Sequence, residues 1–454
     1  MLRCYFSFKR FTMTGAVEHT PRRAALHVLD RVDGGAYADI VLDKELRGLS
    51  ASDAGLATEI VYGVLRWRIR LDWTIDAFST MKTARLERSV LNALRIGLYQ
   101  LLFLTRVPAS AAINESVNLV KRGGRRKAGF VNAVLRKVDL NRKLRPVDGD
   151  PALKLSIELS HPEWLVRRWI ERFGAEEAQE LCKANLAAPP KTLRANTMLV
   201  TRASLIRGLA AEGVEAVETA YSPVGVRVVK GSVDASDSRF YIQDEASQLV
   251  PLLLAPEPGE TVLDACSAPG GKATHMATLM KNTGRVCAIE KYPGRLKAVV
   301  DASRRFGLSI IEPLAADSTE PLPLDPAISF DAILCDAPCS GLGVIGRSPD
   351  IKYRRTELDL LENAERQKRL LANLAGYLKP GGRMVYSVCS FEPEETVNVV
   401  ADFLKERADF VMESAGGYVP EECRALVDEP GFFRTYPHRH GVDGFFAARL
   451  KRIS

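Results

Sequence analysis

Two cysteines follow short apolar runs that read as strands. One lies in Asp336-Ala-Pro-Cys339-Ser-Gly, after residues 330–334. The other lies in Ser387-Val-Cys389-Ser390, after residues 384–388. A buried cysteine alone is ordinarily a small hydrophobe. Two of them at the mouths of adjacent strands, beside an acid, suit nucleophilic catalysis. The C5 carbon of a cytosine is a poor nucleophile. A thiolate adding at C6 makes C5 enamine-like, able to attack an electrophilic methyl group. Asp336 is placed to hydrogen-bond N3 as charge develops. Afterwards C5 loses its proton and the thiolate leaves by elimination. Methylation of an exocyclic amine needs no thiol and typically uses Asp/Asn-Pro-Pro-Tyr/Phe here, in contrast to Asp336-Ala-Pro-Cys339.

The methyl donor has its own signals. Residues 261–264 read as a strand that runs into Asp264-Ala-Cys266-Ser267-Ala268-Pro269-Gly270-Gly271-Lys272. The paired glycines let backbone approach a ligand where the next helix begins. A Walker phosphate loop is absent: Lys272 is followed by Ala273, and Cys266 stands where its first glycine would be. The dinucleotide fingerprint Gly-x-Gly-x-x-Gly is absent too. Glu290 closes the next strand, where a carboxylate accepts both hydroxyls of a ribose. The combination calls for a nucleoside cofactor without a diphosphate, which S-adenosylmethionine fits. Asp317, after a third strand, suits the adenine amine or a helix cap equally. Lys272 either brings positive charge to the pocket or is solvated.

Such groups need a scaffold. From residue 241 strands and helices alternate, which predicts a doubly wound, mostly parallel sheet with its ligands beyond the C-terminal strand ends. Residues 150–240 differ. A helix opens at Pro162, a second covers 175–187, and Ala188-Pro-Pro breaks it. Strands at 192–197 and 226–229 flank a helix at 204–211, giving a small α/β module. Residues 20–140 are helical. Ala25, Val28 and Leu29 share one face, as do Leu56, Ile60 and Val64. Leu91, Leu94, Leu98, Leu101 and Leu102 mark a buried central helix that stops near Pro108, with Ser110 the expected cap of the next. Between 121 and 145 ten Lys or Arg face one acid, Asp139. Either this is a solvated helix end or it faces phosphates. The second is favoured, because so many like charges repel without an anion nearby.

With 454 residues the chain has room for about three domains. A hydrophobic fraction of 46% and a charged fraction of 26% are globular, and the formal charge of +7 permits a nucleic-acid partner. No apolar run is long enough to span a membrane, and the N-terminal one is too short for a signal peptide. The eight cysteines include no Cys-x-x-Cys pair, so reduced thiols and a cytoplasmic location are expected. No structural metal is expected with six histidines.

Asp336-Ala-Pro-Cys-Ser-Gly, Val388-Cys-Ser390, Gln243-Asp-Glu-Ala-Ser-Gln248, the 264–272 loop and Asp443-Gly-Phe-Phe446 resemble the signatures of the RNA cytosine-5 methyltransferases. Tyr62-Gly-Val-Leu-Arg66, Leu94-Arg-Ile-Gly-Leu-Tyr-Gln100, Asn114-Glu115 and Gly129-Phe-Val-Asn-Ala-Val-Leu-Arg136 are similar to the NusB-like domain of its Sun/RsmB branch. A flexible extension is expected at 1–19, which has no counterpart in the family's usual pattern, and the resemblance implies three domains after it. They are a NusB-like all-α bundle at 20–145, an α/β module at 146–240, and a Rossmann-like S-adenosylmethionine-dependent domain at 241–454. It implies methylation of one cytosine in 16S, small-subunit ribosomal RNA. It implies Cys389 as the C6 nucleophile and Cys339 as the residue that assists breakdown of the adduct. It assigns cofactor contacts to the 264–272 loop, Glu290, Asp317 and Asp336, and Arg295 joins these candidates. The family's fifth strand commonly ends Thr-Cys-Ser, where this chain has Val388. A monomer is expected. The alternatives are the same chemistry on transfer RNA or another ribosomal site, and a non-catalytic RNA-binding assembly factor.

Overall fold

The computed structural model describes residues 19–141 and 147–454. The extension expected at 1–19 thus falls almost wholly outside the described residues, as do Arg142, Lys143 and Arg145 of the basic run. The described chain divides into two units between Ser160 and His161.

In the first unit, Thr20 accepts the Arg23 N–H and Pro21 opens α1 (Pro21–Val32), burying Ala25, Val28 and Leu29. There follow α2 (Ala38–Glu45), α3 (Ala51–Phe78), α4 (Arg88–Phe103), α5 (Ala109–Val120), α6 (Arg125–Leu140) and α7 (Pro151–Glu158). Helix α4 is buried on almost every side, as a central helix must be. Ser110 is not the cap of α5: the helix begins one residue earlier, after Pro108, and has no side-chain cap. The fixed φ of Pro108 leads the chain into the helix, and Ser110 falls within the first turn. Helix α6 buries Val131, Val134, Leu135 and Val138, while Lys121, Arg122, Arg125 and Arg126 are exposed around its start. Helix α7 packs on α3 and belongs to this unit, although the boundary expected at 146 would set it in the middle module.

The second unit begins with α8 (Glu163–Phe173) and α9 (Ala175–Leu186). An antiparallel sheet of order β2-β3-β1-β4 follows, from β1 (Lys191–Ala195), β2 (Glu215–Glu218), β3 (Gly225–Lys230) and β4 (Phe240–Ile242). Helix α10 (Arg202–Ala211) covers it through Leu205 and Leu209, against Leu193, Val226 and Phe240. Helix α11 (Glu245–Leu254) then leads to the large sheet. Its strands are β5 (Thr261–Asp264), β6 (Arg285–Glu290), β7 (Ile311–Ala315), β8 (Phe330–Asp336), β9 (Leu378–Val388), β10 (Phe410–Glu413), β11 (Phe433–Thr435) and β12 (Phe445–Arg452). The order is β10-β12-β9-β8-β5-β6-β7, with β11 paired to β12.

Strands β5 to β9 are parallel, as expected. Strand β12 inserts antiparallel between β9 and β10. Helices α12 (Gly271–Leu279), α13 (Pro293–Phe306), α14 (Glu357–Ala375) and α15 (Val397–Glu406) cross between strands, and α16 (Pro437–His440) precedes β12. The register sets Asp264 beside Leu334 and Asp336 beside Ser387, so the functional loops leave one edge together. Among the described residues no helix is long and apolar enough to cross a membrane, and no group of three or more His, Cys, Asp or Glu could hold a metal ion.

Candidate active site

The C-terminal edge of β5–β9 opens on a cavity of about 300 Å³. One side is built for a nucleoside. Glu290, ending β6, lines it while only 5% exposed, and accepts the Tyr292 N–H at 3.0 Å. Arg295 pairs with it at 3.3 Å. Asp317, two residues past β7, pairs with Lys291 at 2.7 Å and accepts the Thr319 N–H. Burial works against its charge, but the Lys291 pair and the Thr319 bonds win and hold its carboxyl down at about 2. Asp317 therefore caps its own turn and lines the cavity at once.

Cys266 and Ala268 complete this wall. Burial drives the Cys266 thiol far up, so it packs as a neutral group. Ser267, Pro269, Gly270, Gly271 and Lys272 stand behind the wall rather than in it. Gly270 takes a left-handed φ of 101° as α12 begins, and Ser267 is buried. Arg194 of β1, itself buried, donates to the Gly271 carbonyl and to the Thr274 hydroxyl at 2.8 Å, tying the middle sheet to this helix start.

The opposite side carries the thiols. Cys339 follows β8 and Cys389 follows β9, both line the cavity, and their sulfurs are 3.2 Å apart. The hydrogen bond to Cys389, and then burial, hold the Cys339 thiol well above its ordinary range. Asp336 lies between the two sides. Lys272 donates to its Oδ2 at 2.6 Å and the Ser387 hydroxyl to its Oδ1 at 2.7 Å. Lys272 is thus bound to the site's acid rather than solvated, and also lies 5.3 Å from the Phe445 ring.

Sequence reasoning missed several groups here. Ser387 is one. Ser340 and Glu395, hydrogen-bonded behind the cysteines, are two more. Arg355 and Arg366 bring positive charge to the cavity. Trp169 and Arg168 of α8 reach buried Glu392 in the loop after Cys389, with Trp169 Nε1 donating at 3.0 Å. Position alone could have flagged only Ser340 and Ser387, as neighbours of Cys339 and Cys389.

The chemistry of the first wall fits S-adenosylmethionine. A buried acid, Glu290, ends a strand where ribose hydroxyls would be held, a half-buried second acid, Asp317, suits an adenine amine, and Ala268, Ala316 and Leu370 offer apolar surface for a ring. Known proteins agree. Residues 251–451 match the family of 16S rRNA methyltransferases RsmB/F, residues 19–139 the NusB family, and residues 161–234 the ferredoxin-like domain of RsmF/B-like methyltransferases. A probable ribosomal RNA small subunit methyltransferase B of Bacillus subtilis is 38% identical, over 95% of this chain and 98% of the relative. The counterpart in Synechocystis is 32% identical, over 92% and 96%.

The chain belongs to the RsmB/F methyltransferase family.

A solved methyltransferase homologue from Pyrococcus horikoshii is also similar, with 27% identity and a TM-score of 0.57, covering 67% of this chain and all of that one. As an RsmB/F member the chain is an S-adenosylmethionine-dependent RNA methyltransferase, with a NusB-like all-α region, a middle α/β region and a Rossmann-like domain.

Proposed function

We propose that this chain methylates C5 of one cytosine in small-subunit ribosomal RNA, with Cys389 as the nucleophile. The observation that carries the reading is the pair of sulfurs 3.2 Å apart, in one cavity with Glu290 and Asp317. Glu290 binds the ribose of the cofactor and Asp317 its adenine, with Arg295 and, from the 264–272 loop, Cys266 and Ala268 closing around them. When bound, the cofactor would supply an electrophilic methyl group and keep the electron pair of the broken S–CH3 bond on its sulfur.

The Cys389 thiolate bonds to C6 of a cytosine brought out of its stack. N3 takes a proton from solvent as the ring accepts the sulfur, and returns it to solvent once the ring is restored. Asp336, steadied by Lys272 and Ser387, accepts a hydrogen bond from that N3–H. C5 then forms its bond to the methyl carbon. Loss of the C5 proton to a base breaks the S–C6 bond and returns its electron pair to Cys389. The Cys339 S–H, held as a thiol, donates to the departing thiolate. The names of the curated relatives favour small-subunit ribosomal RNA as the substrate. Cytoplasmic action on nascent subunits follows from that choice.

The test is transfer of labelled methyl to RNA from cells lacking the gene, with bisulfite mapping. The reading expects one cytosine of small-subunit ribosomal RNA to be labelled. Labelling of transfer RNA instead overturns the substrate. Cofactor binding without transfer to any RNA overturns the enzyme.

A further inference from the structure

A single carboxylate stands behind both thiols. Glu395, in the turn between β9 and α15, is fully buried. Its Oε1 accepts the backbone N–H of Ser340 at 2.6 Å, and its Oε2 accepts the Ser340 hydroxyl at 2.5 Å. Ser340 follows Cys339 directly. Its hydroxyl lies 3.4 Å from that of Ser390, which follows Cys389. The backbone carbonyl of Glu395 accepts the Tyr386 hydroxyl at 2.6 Å, so the turn is fixed to β9 as well. One side chain thus sets the spacing of the two cysteine loops.

We propose that Glu395 is a positioning residue that divides the labour of the two thiols, fixing the Cys339 loop against the Cys389 loop and holding Cys339 as the protonated donor to Cys389. The proposal rests on the reading of Cys389 as nucleophile. Burial pushes the Glu395 carboxyl up, and the serine hydrogen bonds pull it back toward the charged form. A negative charge beside Cys339 opposes a second one on its sulfur. Around Cys339 stand Cys389 and Tyr386 from the β9 side and Glu395, while Asp336 from β8 and the cations Arg355 and Arg366 line the same cavity. Arg355 Nε donates to the Ser340 carbonyl at 2.8 Å. Both arginines are only half-buried, so water screens them, whereas Glu395 acts through a dry interior. The Cys389 hydrogen bond, burial and the Glu395 charge all push the Cys339 thiol up. With the proton kept on Cys339, its S–H steadies the Cys389 thiolate before attack and again when the S–C6 bond breaks.

The test is alkylation of the whole protein with iodoacetamide at low conversion, from neutral to alkaline pH, with each cysteine's rate read by peptide mass spectrometry. In the wild type Cys339 should react more slowly than Cys389 at neutral pH. Glu395→Gln should raise the Cys339 rate at neutral pH severalfold, because the opposing charge is gone. Glu395→Asp, which keeps the charge, should leave Cys339 slow. An unchanged Cys339 rate in Glu395→Gln overturns the proposal. If that variant does not fold, the wild type decides alone: Cys339 reacting as fast as Cys389 at neutral pH also overturns it. The assay contains no RNA, so its failure is separate from failure of the methylation reading, which loss of transfer in Cys389→Ala tests.

Discussion

At the scale of single residues, the site is a set of charges and thiols whose protonation states are fixed by what surrounds them. Cys389→Ala should abolish methyl transfer, by at least about a thousandfold as for loss of a covalent nucleophile, while calorimetry shows cofactor affinity unchanged. Full activity in that variant would remove Cys389 from the reaction. A second expectation concerns pH. Burial raises the Asp264 carboxyl to about 7, whereas an unfolded aspartate titrates near 4. The folded chain therefore keeps this proton longer, and stability falls as pH rises from about 4 to about 7. Asp264→Asn has no such proton. Between about pH 5 and about pH 8 the wild type should lose roughly 2–3 kcal/mol more than the variant in denaturant unfolding. Equal losses would show that Asp264 ionises freely.

Cys339, Cys389, Asp336 and Glu290 were legible in the sequence because each sits where an apolar strand gives way to a loop, and a parallel sheet gathers such ends. Glu395 was not legible. Its partner Ser340 is 55 residues away in the chain, and only the pairing of β8 with β9 brings them together. No spacing rule marks a pair of that kind.

At the scale of elements, the loops are held by close backbone approach and by buried charge. The Gly343 N–H donates to the Cys389 carbonyl at 3.0 Å, and the Gly343 carbonyl accepts the Gly444 N–H at 2.8 Å. A Cβ at Gly343 would stand 2.0 Å from the Gly444 oxygen. Gly343→Ala must therefore push the Cys389 loop from the start of β12. It should lower kcat far more than it weakens cofactor binding, and a wild-type kcat would show that this packing is slack.

Helix α8 acts on the same loop. Arg168→Ala leaves fully buried Glu392 without its nearest cation. Loss of a partner from a buried pair costs about 3–5 kcal/mol, and the partial exposure of Arg168 brings this to about 2–3 kcal/mol in denaturant unfolding. A change near zero would mean that water replaces the guanidinium.

The strands of the parallel half are readable as separate apolar runs. The antiparallel insertion of β12 is not, because 445–452 alternates no differently from a parallel strand and its direction is set by the chain's return through α16. Strands β2 and β4 of the middle module carry no readable pattern either. Strand β2 is four residues with none buried, and β4 is three residues long, too short for a period to show.

At the scale of the whole molecule, the partner is a polyanion and the charge of +7 is unevenly spread. Lys121, Arg122, Arg125 and Arg126 crowd the exposed start of α6. Reversing these four charges should weaken RNA binding across sequences and flatten its salt dependence, by about one unit of slope for each phosphate no longer neutralised. Cofactor affinity should not move. An unchanged salt slope would assign RNA docking to other surfaces.

The central claim is that one sulfur adds to the base and the other helps release it. It is tested most directly by incubating Cys339→Ala with unmethylated small-subunit ribosomal RNA and S-adenosylmethionine, then mapping any protein–RNA bond that survives denaturation. The account predicts a persistent complex whose linked peptide contains Cys389. A link at any other residue, or rapid turnover with no complex at all, would contradict it.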